Sequence, residues 1–377
     1  MNNEIEILKI TNYDNFKCIA DKCKFTCCEG WDIAVDNDTY HKWQDNKCDY
    51  ILNNVILKKC ENKKEYFINK EINKTCPLLD DEGLCEIVKN NGEDYLSLTC
   101  HSFPRIKNVF ENKKELSLSC ACPEVVEIIS KISNKINLLD KNNNALDEEL
   151  LELKIRETII KIINENNASL DYKLIISFQM MLNILENEEI TEEILLKELK
   201  RFKDKEYIKE LIEMYEEVEL DTYESIEEIN NLFLDIIENY KSVSGLEVLL
   251  SDISDFAEEV DIASLTERWK EFKVAFEEYN NLIENCIISK VLSSCVSDDI
   301  EEMTINLEMI ILEYLLTRHA LFLKYCMNEI TTEDVKDYIV CFSRVVGNNI
   351  EAVEEFITDG FDDEILEVGY LCFISIF

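Results

Sequence analysis

Residues 149–187 read ELLELKIRETIIKIINENNASLDYKLIISFQMMLNILEN. Apolar side chains return at i, i+3, i+4 and i+7 through 149–163 and again through 173–187, the period of an α-helix with one buried face. The same period runs upstream in VVEIISKISNKINLL (125–139). Downstream, ITEEILLKELKRF (190–202) sets Thr191 ahead of two glutamates, a helix start. Further helices are expected at about 206–219, 222–240, 244–259, 264–296, 302–328, 332–346 and 349–358, with breaks at Gly245 and around 252–255. No internal repeat of fixed period is visible. No proline follows Pro123, and the 377 residues hold 7 Gly and 3 Pro, against usual frequencies of about 7% and 5%. Sandwiches, barrels and propellers need more turns than that supply allows. The glycines are also too scattered for GxGxxG or a P-loop, so a Rossmann-type nucleotide fingerprint is absent. The expectation is a mainly α protein, with an all-α bundle or irregular helical array over 125–377.

The net charge of −40 is unevenly placed. Residues 1–123 hold 17 basic and 21 acidic side chains, whereas 124–377 hold 22 and 58. A field of that sign repels phosphate backbones and argues against nucleic acid as a partner. It keeps a helical surface solvated, and it would draw a basic partner. The opening MNNEIEILKI lacks the basic and apolar regions of a secretory leader. No apolar run approaches the ~20 residues of a membrane span. A cytoplasmic protein with no membrane association is expected.

Eleven of the sixteen cysteines lie in 18–122. In a reducing compartment such density reads as metal binding or redox chemistry rather than disulfides. KCIADKCKFTCCEGW (17–31) spaces Cys18, Cys23, Cys27 and Cys28 as C-x4-C-x3-C-C, which is neither a pair of zinc knuckles nor a CxxxCxxC run. Cys76 and Cys85 flank a turn at 81–83 in TCPLLDDEGLCEI. Cys100 stands in LSLTCHSFPR, and Cys120 and Cys122 in LSLSCACPE. Pro77 and Pro123 directly follow cysteines, and a fixed φ helps hold a thiolate turned toward a metal. Around these loops 1–124 reads as a small α+β cysteine-rich domain. Helices are expected near 37–46 and 47–57, a strand at 65–69, and a hairpin formed by RIKNVF and KELSLS. Cys286, Cys295, Cys326, Cys341 and Cys372 sit alone in helical sequence and read as small buried hydrophobes.

Taken together, C-x4-C-x3-CC-x-G-W, T-C-P-x-L-(x)4-L-C, T-C-x-S-F-P-R and C-P-E resemble the flagellin lysine N-methylase family and its broader eight-cysteine zinc- or iron-chelating relatives. The residues that carry the resemblance are Cys18, Cys23, Cys27, Cys28, Trp31, Cys76, Pro77, Cys85, Cys100, Phe103, Pro104, Arg105, Cys122, Pro123 and Glu124. Cys48, Cys60 and Cys120 fall outside the pattern. The resemblance implies a 4Fe-4S cluster, with zinc as the alternative metal, S-adenosylmethionine as methyl donor, and a lysine ε-amine of flagellin or another lysine-rich protein as acceptor. Its metal ligands would be Cys18, Cys23, Cys27, Cys28, Cys76, Cys85, Cys100 and Cys122. Four thiolates hold one cluster or one structural zinc, so eight imply two centres or some structural cysteines. For one centre, Cys23, Cys27, Cys28 and Cys100 are the favoured four.

Candidate cofactor-binding residues follow from the same comparison. Arg105 would clamp the donor's carboxylate or brace the cysteine loop. Trp31 and Phe103 would cover the metal or line the donor or lysine pocket. EYLLTRHALFLKYC and YIVCFSRVVGNN loosely match late family helices, where an SR pair also occurs. Arg318 and Arg344 there would line a cleft facing the cysteine domain or pair between helices. Gly347 and Asn348 stand where the family carries polar residues. No catalytic base is identifiable. The expected activity is protein-lysine N-methylation, and the alternative is a non-catalytic iron–sulfur or zinc module on a helical interaction domain.

Overall fold

Aspartate and threonine do the work that proline and glycine do elsewhere, starting helices with their side chains. Thr191 Oγ1 accepts the amide of Ile194 (3.3 Å), and Asp204, Asp221, Asp261 and Asp299 cap in the same way. Thr331 and Asp334 form a reciprocal capping box. A computed structural model describes residues 5–29, 31–60, 63–70, 75–140, 150–165, 168–187, 189–219, 221–243, 245–349 and 370. Residues 350–358 of the expected helix at 349–358, and Cys372, lie outside them.

Helices α1 (Asn37–Asp45), α2 (Asp49–Leu52), α3 (Glu86–Asn91), α4 (Leu98–Ser102) and α5 (Pro123–Ser130) are short and accompany seven strands. The strands are β1 (Glu6–Ile10), β2 (Ala34–Val35), β3 (Val55–Cys60), β4 (Lys63–Ile68), β5 (Arg105–Val109), β6 (Lys113–Leu118) and β7 (Leu138–Leu139). The expected β5–β6 hairpin forms, in register from Arg105 opposite Leu118 to Val109 opposite Lys114. β1 then adds to β6 in parallel and β7 to β1 in antiparallel, giving the order β5-β6-β1-β7. A smaller sheet has the order β2-β4-β3.

The remaining helices follow in succession: α6 (Leu151–Glu165), α7 (Leu170–Leu185), α8 (Glu192–Phe202), α9 (Lys205–Glu216), α10 (Thr222–Ile237), α11 (Glu247–Glu259), α12 (Ile262–Phe276), α13 (Asn280–Ser294), α14 (Ile300–Met327) and α15 (Thr332–Val345). The mainly α expectation therefore holds, with small sheets toward the N-terminus. α14 is buried all round from Leu307 to Leu323, as a helix apolar on every side must be. It touches α7, α10, α11, α12, α13 and α15.

Four sequence expectations need correction. Residues 55–57 are strand, because Val55 and Ile56 pair across to Ile68 and Phe67. The helix from 123 stops at Ser130, well short of 139. The stretch 264–296 is two helices parted by a single 3-10 turn at Glu277–Tyr279. No break occurs at 252–255, which lies inside α11, while Gly245 does stand before that helix at φ +82.

Two apolar cores result. The larger takes in Leu8, Ile10, Phe25, Leu118 and Cys122 together with the faces of α6 to α15. The smaller gathers Ile33, Val35, Trp43, Ile51, Ile68, Leu78 and Ile87. Trp43 is fully buried there, and its indole N–H donates to Tyr95 O (2.9 Å).

Candidate functional site: the cysteine loops

The cysteine loops are fastened by main-chain hydrogen bonds. The Cys76 amide donates to Cys28 O (2.9 Å) and Glu29 bridges to Thr75, which sets Cys28 beside Cys76. The 76–85 loop closes on itself through a bridge between Leu79 and Cys85. Asp80 Oδ1 accepts the amides of Glu82 and Leu84, and Gly83 takes the turn at φ +75. Cys100 sits in α4, whose N-cap Ser97 accepts the Cys100 amide. Cys85 and Cys122 are themselves the N-caps of α3 and α5.

Hydrogen bonds from the Cys27 and Cys76 thiols hold Cys28 well below an ordinary thiol, while Cys27 and Cys76 are pushed well above it. Burial raises Cys23 and Cys85, and lifts Cys100 and Cys122 to about 11. Two buried cations offset this. Lys70 donates to Trp31 O (2.6 Å) and has the thiols of Cys76, Cys28 and Cys100 as neighbours. Arg344, 2% exposed, donates from Nε to Ala121 O (2.9 Å), from Nη1 to Thr26 O (2.8 Å) and from Nη2 to Phe25 O (3.0 Å). Its thiol neighbours are Cys27, Cys23 and Cys122, with Cys341 behind. Thiolates are the ligands that zinc and iron–sulfur clusters prefer, so the chemistry of this donor set fits either. Among the described residues no three His, Cys, Asp or Glu side chains close on a single ion. The thiols are gathered rather than caged.

The other sequence candidates separate. Trp31 donates to Cys27 O (3.0 Å), and its ring meets Phe103 at 5.4 Å between centroids. The pair lies over the Cys27 loop, beside the cis Phe103–Pro104 peptide. Arg105 is exposed, with its guanidinium on the Phe16 ring (4.9 Å). Arg344 reaches the cysteine loops, where it is buried on their main-chain carbonyls. Arg318 instead pairs with Asp171 on α7 and lies against the Trp269 ring (5.0 Å). Its neighbour His319 meets Asn230 (3.0 Å), and burial draws it down to about 3, so it stays neutral.

Glu29 and Lys70 escaped the sequence reading. Glu29 is buried with its carboxylate against Gly245, whose φ of +82 favours glycine there. The acidic residue inside CCEGW was a signal for Glu29. Lys70, six residues before Cys76, carried none. Gly347 has a comparable reason: the Glu313 carboxylate fills the place of its Cβ.

Cys48 lies in the smaller core. Cys120 packs against Cys286 in the larger one, its thiol toward Cys286 O (3.9 Å). Cys286, Cys295 and Cys341 are buried and Cys326 half-buried. Replacing Cys295 or Cys341 by alanine should cost on the order of 1 kcal/mol of stability and leave metal content unchanged. Elemental analysis beside urea unfolding checks this, and metal loss in either variant would place the helices among the ligands.

Thiol loops roofed by a helical array, with buried cations between, define a class of cysteine-cluster helical proteins. Within it this chain belongs to the lysine N-methylase family. The family model described as the FliB lysine N-methylase C-terminal domain matches residues 156–374. The chain is 34% identical over 145 residues to the flagellar biosynthetic protein FliU of Salmonella muenchen, covering 37% of this chain and 86% of that protein. It is 32% identical over 143 residues to the lysine-N-methylases of Salmonella choleraesuis (strain SC-B67) and Salmonella typhimurium (strain LT2). Those matches cover 37% of this chain and 36% of each relative, so the chain spans about a third of their length. No solved structure matches. No described helix is long and apolar enough to cross a membrane.

Proposed function

We propose that the chain is a protein-lysine N-methyltransferase that takes its methyl group from S-adenosylmethionine and delivers it to flagellin or another lysine-rich protein. Membership of the lysine N-methylase family, through the match over 156–374, carries this reading. In the transfer, the lone pair of the ε-nitrogen bonds to the methyl carbon as the carbon–sulfur bond breaks. S-adenosylhomocysteine leaves and the nitrogen loses a proton. A free lysine titrates near ~10.4, so the amine must shed its first proton before attack.

The eight thiols of the loops would hold a metal centre of iron–sulfur or zinc type. Such a centre would order the loops and contribute folding free energy. Arg344 and Lys70 would balance its thiolate charge. Trp31 and Phe103 form an aromatic pair beside the Cys27 loop, suited to an apolar or cationic group.

The acidic helices suit a basic acceptor. Steering by that field raises association rates and fades as the screening length falls from ~10 Å at 0.1 M salt to ~3 Å at 1 M. The expected result is methyl additions on flagellin lysines after anaerobic incubation with S-adenosylmethionine, read by mass spectrometry. Association should slow as salt rises while dissociation changes less. Unmodified flagellin, with bound S-adenosylmethionine demonstrated by calorimetry in the same preparation, would remove flagellin as the acceptor. No binding of the donor would favour a non-catalytic metal module.

A further inference from the structure

Helices α7, α8 and α9 pack on one another and leave between them a groove of about 690 Å³. Each helix lines it with a pair of residues three apart, the spacing that shares one face: Asn183 and Glu186, Glu198 and Arg201, Tyr207 and Glu210. Three carboxylates thus stand against one guanidinium, and that guanidinium is engaged, lying over the Tyr207 ring at 4.3 Å. Glu186 and Glu210 are exposed. Glu198 is not: it is 9% exposed, and its buried Oε2 accepts no hydrogen bond among the described residues. Arg201 Nη1 approaches it to 3.5 Å as an ion pair without donating to it. A buried carboxylate oxygen with no donor is costly, and a donor arriving through the groove removes that cost. Leu211 and Met214 add apolar lining, with Met214 51% exposed.

We infer that this groove, formed wholly by residues outside the cysteine loops, is a docking site for a lysine side chain of a basic protein partner. A lysine joins a flexible apolar stem to a compact ammonium with three donors and no acceptor. The stem matches Leu211 and Met214. The ammonium supplies the donor that Glu198 lacks, with Glu186 and Glu210 as flanking charges. An anionic ligand would meet three like charges here. A guanidinium fits less well, because Arg201 already stacks on the ring that would receive it. The acidic field of the helices speeds encounter with a basic protein. The groove adds a contact that salt screens little, since Glu198 is buried. The inference rests on the reading of the partner as a lysine-rich protein and is independent of methyl transfer.

The test uses the full chain at about 0.3 M salt, where the general field is largely screened. The probes are flagellin, a glycine-spaced lysine peptide, and the same peptide with norleucine for lysine. Affinity is read by calorimetry and the contact by hydrogen exchange. The lysine peptide and not the norleucine peptide is expected to bind, slowing exchange in α7, α8 and α9. Glu198→Gln should weaken binding about tenfold, the scale of one charge-assisted hydrogen bond. Glu186→Gln combined with Glu210→Gln carries the same test should Glu198→Gln fail to fold. Glu259→Gln combined with Glu267→Gln removes two exposed charges from α11 and α12 and should change affinity less than about twofold. Equal losses in the groove and control variants, or exchange slowed only elsewhere, would overturn the groove. Neither lysine probe bound would overturn it as well. A lysine peptide held in the groove while flagellin is ignored would support the groove and remove flagellin as the partner.

Discussion

Arg344→Met is expected to destabilise the protein by about 3–5 kcal/mol, the scale on which removing one partner of a buried charged network acts. The substitution keeps much of the side chain's length and apolar bulk but removes every donor. Three main-chain acceptors, Phe25 O, Thr26 O and Ala121 O, then lose the N–H groups that reach them at 2.8–3.0 Å. A buried acceptor left alone costs ~1–3 kcal/mol, and the three are not additive because they share one donor group. Arg344→Lys should rescue little, since an ammonium cannot present three donors in the plane of the guanidinium fork. Ser343→Ala, next along α15, should stay within about 1 kcal/mol, because Ser343 only back-bonds to Ile339 O (2.7 Å). Urea unfolding of the three variants checks this. A loss under about 1 kcal/mol for Arg344→Met would mean that water replaces the staple.

Glu115→Ala is expected to cost a similar ~3–5 kcal/mol by removing the buried carboxylate that two cations share. Glu115 is 1% exposed on β6. Arg156 of α6 binds it bidentately (Nη1–Oε2 2.7 Å, Nη2–Oε1 3.0 Å), and Lys113 approaches at 3.0 Å. Arg156 also donates to Leu292 O of α13 (3.1 Å), so the group clamps the sheet to two helices. Burial alone would raise the Glu115 carboxyl, but Arg156 and Lys113 outweigh it and hold the group below the usual carboxylate range. A carboxyl depressed in the folded state stabilises fully above its unfolded value, ~4.3. That contribution fades as pH falls through the folded value. Glu115→Gln should therefore lower stability at neutral pH and flatten its acid decline. An acid limb unchanged in this variant would show that other carboxylates set it.

The hairpin of β5 and β6 was legible because its pairing is local and the turn at 111–113 separates two alternating runs. β1 was not, since EILKI finds its neighbours at 113–116 and 138–139, and no local pattern announces a partner a hundred residues away. The helix break at 277–279 escaped for a related reason. It has no proline or glycine, and the apolar period runs through it. The loop cysteines and Trp31 were visible as motifs. The SR pair drew attention to Arg344, but main-chain carbonyl acceptors leave no mark in a sequence. Only the fold shows that this arginine, and not Arg318, reaches the loops. Lys70 shows the same limit, being an ordinary surface residue type whose burial comes from tertiary packing alone.

The Arg344 staple has a consequence for biosynthesis. Its partner Thr26 lies 318 residues earlier in the chain. At the ~5–20 residues per second of translation, the early cysteines leave the ribosome roughly a quarter-minute to a minute before their last fastener is made. For that interval Cys18, Cys23, Cys27 and Cys28 travel as an unroofed nascent segment, competent to meet metal donors and oxidants alike. The order of synthesis thus leaves these thiols open to their surroundings ahead of the final closure of the fold.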